Sequence, residues 1–151
     1  ETREITLDTP FSGLHRVEVF PPSNRAMIAP GITGMALTQP AGLDDYNRLS
    51  GRWSLYFYVP KGTDIVGGYA AGSPAGRMLD GDGNAVLTFA DMELPGYFAV
   101  PVPDGQDGRL WKFDQCNGRR ALLTVPPWLA RNADELLLPA EVVLRDSVVV
   151  P

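Results

Sequence analysis

The sequence predicts an all-β fold, an antiparallel β-sandwich with one short helix near the C-terminus. The 151 residues include 16 Gly and 14 Pro. Prolines this dense leave no space for a long helix, because each one removes an N–H and clashes with the preceding turn. Between them lie short runs rich in Val, Leu, Phe, Tyr and Trp. Short apolar runs separated by turn residues are typical of sandwiches and barrels.

The clearest strand covers residues 53–59, Trp-Ser-Leu-Tyr-Phe-Tyr-Val. Its odd-numbered side chains are all apolar, and a period of two places them on the core face. Tyr56 and Tyr58 then lie on the opposite face. Pro60 ends the strand, and residues 61–63 turn the chain.

A second unit is predicted to be a β-hairpin. Residues 109–114 alternate, with two aromatic rings inward. Asn117-Gly118 follows, and this dipeptide is the strongest short hairpin signal because both central residues of the tight turn need positive φ. Residues 119–125 return, so the two strands are expected to pair with each other.

Weaker strand candidates fill the rest of the chain. They are residues 5–7, 15–19, 35–38, 65–70, 77–79, 85–89 and 97–102. Residues 80–84, Asp-Gly-Asp-Gly-Asn, are predicted to form a turn between two of them. The total of about nine or ten strands is enough for two packed antiparallel sheets.

One short helix is predicted near the C-terminus. Asn132 is a good N-cap, and Glu135 three residues later completes an arrangement like a capping box. Residues 133–138 would form the helix, and Pro139 would end it. No repeat or interdomain linker is visible, so we predict a single β-sandwich domain over residues 1–151, excised from a larger multidomain protein.

Composition excludes several classes of function. The formal net charge is -5, and the basic stripe of a nucleic-acid binder is not visible. No apolar run approaches the ~18–20 residues of a membrane span. The start at Glu1 lacks a signal-peptide pattern and is expected to be that of a mature or excised chain. A single cysteine, Cys116, and a single histidine, His15, leave no basis for a disulfide, a thiolate metal cage or most imidazole sites.

Residues 80–84 also match the first ligand positions of a calcium loop, D-x-D-x-N. The sixth position of that loop is Ala85, where the sharp bend needs Gly, and no helices flank it. Asp and Gly are also the residues that turns require. We therefore predict no cofactor and no metal ligand, with a structural calcium ion left as an open alternative.

Catalysis by carboxylates is another alternative. Paired carboxyls occur at Asp44-Asp45 and at Asp91 and Glu93, and glycoside hydrolysis needs two carboxyls about 5–10 Å apart across a cleft. No pattern in the sequence marks one of these carboxyls as a general acid, and no nucleophile-elbow motif G-x-S-x-G occurs. No catalytic residue is therefore assigned.

Aromatic side chains suggest a sugar site. Sugar rings stack on flat aromatic side chains through their C–H faces, while Asp, Asn and Arg side chains bond the hydroxyls. Trp128 follows two prolines and is expected in a stiff loop. The candidate stacking residues are Tyr46, Tyr56, Tyr58 and Trp128, and the candidate polar partners are Asp44, Asp45 and Arg52. The alternative is that these rings pack in the core.

Arginine supplies most of the positive charge. Its planar fork suits the carboxylate and sulfate groups of acidic polysaccharides. A GC-rich coding sequence would produce the same bias.

Residues 52–63, which contain Trp-Ser-Leu-Tyr-Phe-Tyr-Val-Pro-Lys-Gly-Thr, resemble a segment of the galactose-binding-like β-sandwich modules that accompany bacterial polysaccharide-degrading enzymes. Residues 96–103 and the ending 110–130 are similar in kind, so the resemblance covers about residues 50–140. It implies a jelly-roll fold, an accessory role, glycan binding at an edge loop or concave face, and often a structural calcium ion. It carries no individual binding residue over to this chain.

These observations together predict a non-catalytic carbohydrate-binding module that tethers a secreted bacterial enzyme to a polysaccharide. The expected partners are a polysaccharide or oligosaccharide and the catalytic domain of the same polypeptide, in an extracellular setting, with no nucleic acid and no membrane. Tethering would raise the local concentration of the enzyme on its polymer. Two alternatives stay open, a structural interdomain sandwich without a sugar site and a small carboxylate-dependent hydrolase or lyase.

Overall fold

A computed structural model describes residues 6, 8, 38–44, 49 and 51–148. The chain divides into two units, Glu1–Gly31 and Ile32–Pro151, and the fold described below belongs to the second. The strand predicted at 15–19 lies outside the described residues. Only residue 6 of the strand predicted at 5–7 and residue 38 of the strand predicted at 35–38 are described. The single-domain assignment of residues 1–151 stays a prediction.

Nine strands and one α-helix make up the described fold. The strands are β1 Thr38–Pro40, β2 Trp53–Val59, β3 Ile65–Ala71, β4 Arg77–Leu79, β5 Ala85–Thr88, β6 Gly96–Pro101, β7 Arg109–Cys116, β8 Arg119–Leu122 and β9 Trp128–Ala130, and the helix α1 is Ala140–Asp146. Single 3-10 turns form at Phe89–Asp91 and Ala133–Glu135.

The strands form two antiparallel sheets, which confirms the all-β prediction. A six-stranded sheet has the order β1-β9-β2-β7-β4-β5, and a three-stranded sheet has the order β6-β3-β8. The bounds predicted for β2 and β4 agree with the structure, those of β3 differ by one residue at its end, and those of β6 are shifted by one residue at both ends. The turn predicted at residues 80–84 joins β4 to β5, and the two strands pair as a hairpin.

The core combines side chains from both sheets in a sandwich-like arrangement. The Phe89 ring lies 6.0 Å from that of Phe113 in the large sheet and 5.9 Å from that of Phe98 in the small one, measured between centroids. Phe98 packs over Gly68, where an added Cβ would fall 2.2 Å from the ring. Glycine at this position therefore lets the inner face of the small sheet accommodate an aromatic ring. Trp111 is fully buried in the same cluster.

The predicted hairpin of β7 and β8 is wrong, although both strands exist. β7 lies between β2 and β4 in the large sheet, whereas β8 pairs with β3 in the small sheet. Because β7 already has a partner on each side, no edge is free for β8. Asn117-Gly118 instead turns the chain from one sheet to the other, with Gly118 at φ +87°.

The predicted helix over residues 133–138 is also wrong in position. Ala133–Glu135 forms only a 3-10 turn, and the Asn132 side chain makes no cap hydrogen bond. The Glu135 carboxylate pairs instead with Arg131, at 3.2 Å. Pro139 precedes α1 at its N-cap rather than ending a helix, which suits a residue whose φ is already helical and whose missing N–H is not needed there.

Candidate functional site

The outer face of the six-stranded sheet carries a row of three side chains. Tyr56 on β2 is directly opposite Lys112 on β7, and Lys112 is directly opposite Leu79 on β4. Directly opposite residues of antiparallel strands share a face. The row therefore crosses three adjacent strands on the side away from the core.

A groove of about 340 Å³ opens along this row. Its walls combine apolar side chains, one lysine, two aspartates and the glycines of the β4–β5 turn. The lining residues are Tyr56, Leu79, Asp80, Gly81, Asp82, Gly83, Leu110 and Lys112. An apolar surface with a few polar groups at its rim is the usual composition of a small-molecule site.

Lys112 is held in place at the side of the groove. Its Nζ atom lies 5.6 Å from the centroid of the Tyr56 ring and 3.1 Å from Asp114 Oδ1. Burial alone would raise the pKa of Asp114, but hydrogen bonds from Lys112, Ser54 and Arg77 outweigh it and hold that pKa below its ordinary value. The carboxylate therefore stays charged and fixes the ammonium group beside the tyrosine ring.

The turn that forms the rim is braced from two sides. The buried Asp80 carboxylate accepts hydrogen bonds from the backbone N–H groups of Asp82 and Asn84, at 2.9 and 2.8 Å. The buried Gln106 side chain accepts from Gly81 N at 3.0 Å and donates to Asp82 Oδ2 at 2.6 Å. The indole N–H of Trp111 donates to the backbone carbonyl of Gln106 at 2.8 Å. The rim is thus connected to the core.

The carboxylates of this turn bond to protein donors. Asp82 accepts from Arg109 at 2.6 Å as well as from Gln106, and these two hydrogen bonds lower its pKa. Over residues 38–44, 49 and 51–148, together with 6 and 8, no group of three or more His, Cys, Asp or Glu side chains is arranged to hold a metal ion. The calcium alternative stays a prediction, with Asp80, Asp82 and Asn84 as the residues that it concerns.

Tyr58 lies on the outer face, as its position in β2 predicts, but it is buried. α1 covers it, and the Tyr58 hydroxyl donates to Asp146 Oδ2 at 3.0 Å. Burial, followed by the hydrogen bond to Asp146, raises the pKa of Tyr58 to about 12. The ring therefore packs against the helix and presents no face for a sugar.

Of the other predicted site residues, the structure describes Trp128, Arg52 and Asp44. Trp128 is the first residue of β9 rather than part of a loop, and it is half-buried. The register Tyr56↔Ala130 places Trp128, two residues earlier, on the same sheet face as Tyr56. Arg52 is exposed just before β2, and Asp44 is exposed in a bend. Asp45 and Tyr46 lie outside the described residues.

The sequence-based site missed most of the groove. Lys112 and Leu110 lie in β7 at positions that alternate with its inward-facing aromatic residues. The period of two that predicts the inward rings therefore also predicts that these two side chains face outward. Asp82 was considered only as a calcium ligand. The carboxyl pair Asp91 and Glu93 is exposed and does not line the groove.

Comparisons of the chain with protein-family models, curated proteins and solved structures give no match. Among the described residues, no helix has the length and apolar character needed to cross a membrane.

Proposed function

We propose that this chain is a non-catalytic carbohydrate-binding domain of the galactose-binding-like, jelly-roll class, which tethers a secreted bacterial enzyme to a polysaccharide. One observation carries the proposal, the groove whose lining combines the Tyr56 ring with Leu79, Leu110, Asp82 and Lys112. The resemblance of residues 50–140 to such modules supports the class.

A sugar ring is amphipathic, and the groove matches that character. The C–H face of one pyranose would contact the Tyr56 ring, and that of an adjoining unit would contact the two leucines, where apolar contact excludes water. Hydroxyls would reach the Lys112 ammonium group, the Asp82 carboxylate and the backbone of the turn. These groups are already oriented by hydrogen bonds, so binding would lose little conformational entropy.

The groove is small, so it would hold only a short glycan segment and bind it weakly. Such a domain acts by raising the effective concentration of a linked enzyme on its polymer rather than by high affinity. The catalytic domain would be supplied by the same polypeptide.

The experiment is affinity electrophoresis against a panel of neutral polysaccharides, followed by calorimetry with the best ligand. Tyr56→Ala should weaken binding about tenfold or more, while Tyr56→Phe should retain it because the stacking ring remains. Leu144→Ala, at an exposed position on α1, is the control for folding. If no polysaccharide retards the protein, or if Tyr56→Ala binds as well as wild type, the groove is not a glycan site.

A structural interdomain sandwich is the second candidate. It is supported by the burial of most rings, including Phe57, Trp111 and Tyr58. Acrylamide quenching of tyrosine and tryptophan fluorescence tests this candidate, since a purely structural domain should show only weak quenching with no protection by any glycan.

A further inference from the structure

The outer face of the three-stranded sheet carries a second arrangement of aromatic and charged groups. Tyr69 on β3 is directly opposite Tyr97 on β6, and their ring centroids are 5.1 Å apart at an interplanar angle of 59°. On the other side, the Arg119 guanidinium of β8 lies 5.8 Å from the Tyr69 ring. We call Tyr97, Tyr69 and Arg119 the tyrosine–arginine stripe, because together they cross all three strands.

Tyr97 is unusual among the aromatic residues that the structure describes. Its exposure is 69%, and every other described ring is buried or half-buried. The neighbouring outward position on this pair of strands is occupied by Gly67 and Ala99, which face each other. With such small residues beside it, the Tyr97 ring is accessible to a flat ligand.

Arg119 is oriented before any ligand arrives. Its Nη2 atom donates to the carbonyl of Leu43, and its guanidinium lies against the Tyr69 ring. A guanidinium held in one place loses less conformational entropy on binding than a free surface arginine.

The charge on this face differs in sign from that of the whole molecule. Counting alternate positions from Tyr69, Tyr97 and Arg119 gives the outward residues of the three strands. They are Ile65, Gly67, Tyr69 and Ala71 on β3, Tyr97, Ala99 and Pro101 on β6, and Arg119 and Ala121 on β8. Arg119 is the one charged residue in this set, whereas the chain carries a formal net charge of -5. The face is therefore complementary to an anionic ligand.

We propose that the tyrosine–arginine stripe binds an acidic polysaccharide through its uronic acid residues. One sugar ring stacks on Tyr97, and the carboxylate of a neighbouring sugar pairs with the positively charged Arg119 guanidinium. The strands β6 and β8 are two spacings apart, about 10 Å, so the ligand must contain at least two sugar units. The stripe shares the ligand class of the proposed function but lies on the other sheet, and each site can fail without the other.

Polygalacturonate and the same polymer with its carboxylates reduced to alcohols form the matched pair of probes. Wild-type protein should bind the acidic polymer about tenfold or more tightly than the reduced one in affinity electrophoresis. The preference should weaken as salt concentration rises. Tyr97→Ala and Arg119→Gln should each weaken binding to polygalacturonate by a similar factor.

Three controls make the result specific. Arg131→Gln removes the same charge from another exposed position and should leave binding unchanged. A neutral oligosaccharide that occupies the groove should not compete with the acidic polymer, which separates the stripe from the groove. Thermal melting of Arg119→Gln shows whether loss of the hydrogen bond to the Leu43 carbonyl destabilises the protein. Tyr97→Ala tests the stripe while leaving that hydrogen bond in place.

Equal affinity for the two polymers would overturn the proposal, as would equal losses in Arg119→Gln and Arg131→Gln. The remaining possible occupant of this face is a second copy of the chain. Light scattering after size-exclusion chromatography tests for such a dimer. A wild-type dimer that Tyr97→Ala converts to a monomer, without any uronate binding, would identify the stripe as a protein interface and overturn the proposal.

Discussion

The Tyr58 hydroxyl donates a 3.0 Å hydrogen bond to Asp146 Oδ2 and so joins β2 to α1 across 88 positions of the chain. The same carboxylate accepts from the Lys61 backbone N–H and from Arg145 Nε, each at 2.8 Å. Asp146 is only 3% exposed. A single buried carboxylate therefore anchors the C-terminal helix to the outer face of the large sheet.

Asp146→Ala should destabilise the protein strongly. It leaves the Tyr58 hydroxyl and the Lys61 N–H without their acceptor in a buried site, and we expect a loss of about 3 kcal/mol in the free energy of unfolding. Tyr58→Phe removes one donor only and should cost about 1 kcal/mol. Urea unfolding measures both. Similar losses in the two variants would contradict the central role of the carboxylate.

Stability should fall in acid for the same reason. Burial alone would raise the pKa of Asp146, but hydrogen bonds from Arg145, Lys61 and Tyr58 outweigh it and hold the pKa below 3.8. A group whose pKa is lowered by folding contributes stability that is present above its unfolded pKa and is lost as pH falls through the folded pKa. The contribution should therefore be present at pH 7 and disappear below about pH 4.

Unfolding free energies at pH 7, 5, 4 and 3 check this prediction. Asp114 titrates in the same direction, so Asp146→Asn should flatten the acid limb only in part. An acid limb that is equally steep in wild type and Asp146→Asn would show that Asp146 does not contribute to it.

The prediction from sequence succeeded where the signal is local. The bounds of β2 follow from alternation and from Pro60, and the turn before β5 follows from its Asp and Gly residues. The prediction failed where strand pairing depends on a segment that is distant in the sequence. β7 has the alternation of a hairpin strand, but its two edges are occupied by β2 and β4.

The candidate site shows the same division. Alternation placed Tyr56 and Tyr58 on one face, and the structure agrees. It could not indicate that α1 covers Tyr58, because that contact depends on Asp146, far along the chain. The groove likewise depends on strand order, since β7 places Lys112 beside Tyr56 and β4 places Leu79 on the other side of Lys112.

Cys116 should be inert in the folded protein. The side chain is fully buried, and burial raises the pKa of its thiol to about 11. Because the thiolate is the reactive form, a disulfide reagent at pH 8 should label no thiol until denaturant is added. Stoichiometric labelling of the native protein within minutes would contradict the burial.

Arg120 should not tolerate replacement by lysine. Its guanidinium is fully buried and donates to the carbonyls of Ala71, Arg119, Ser73 and Ala75 at 2.7–3.2 Å. Its Cζ atom also lies 4.0 Å from the centroid of the Phe89 ring. Lysine has three donors and no planar face, so Arg120→Lys should leave at least one carbonyl unpaired and cost about 2–3 kcal/mol.

Thermal and urea unfolding of Arg120→Lys measure that cost. Arg131→Lys, at an exposed position, is the matched control and should change stability by less than about 0.5 kcal/mol. If the two variants unfold alike, the carbonyl contacts of Arg120 do not hold the segment between β3 and β4.

Gln106 links the core to the groove, and Gln106→Ala should affect stability and binding together. The variant keeps the backbone carbonyl that accepts from the Trp111 indole N–H. It loses both side-chain hydrogen bonds, with Gly81 N and with Asp82 Oδ2. The Gly81 N–H would lose its acceptor, at a cost of about 1–3 kcal/mol. The turn would also lose its brace, so glycan affinity at the groove should fall although Gln106 does not line it.

Asp104→Ala is the matched control, since Asp104 is exposed in the same loop and should change neither quantity. Calorimetry with a groove ligand, together with urea unfolding, measures both effects in each variant. A stability loss in Gln106→Ala with unchanged affinity would mean that the turn does not need this brace to bind. Unchanged stability would mean that water replaces the amide, and that the groove is ordered by the Asp80 contacts instead.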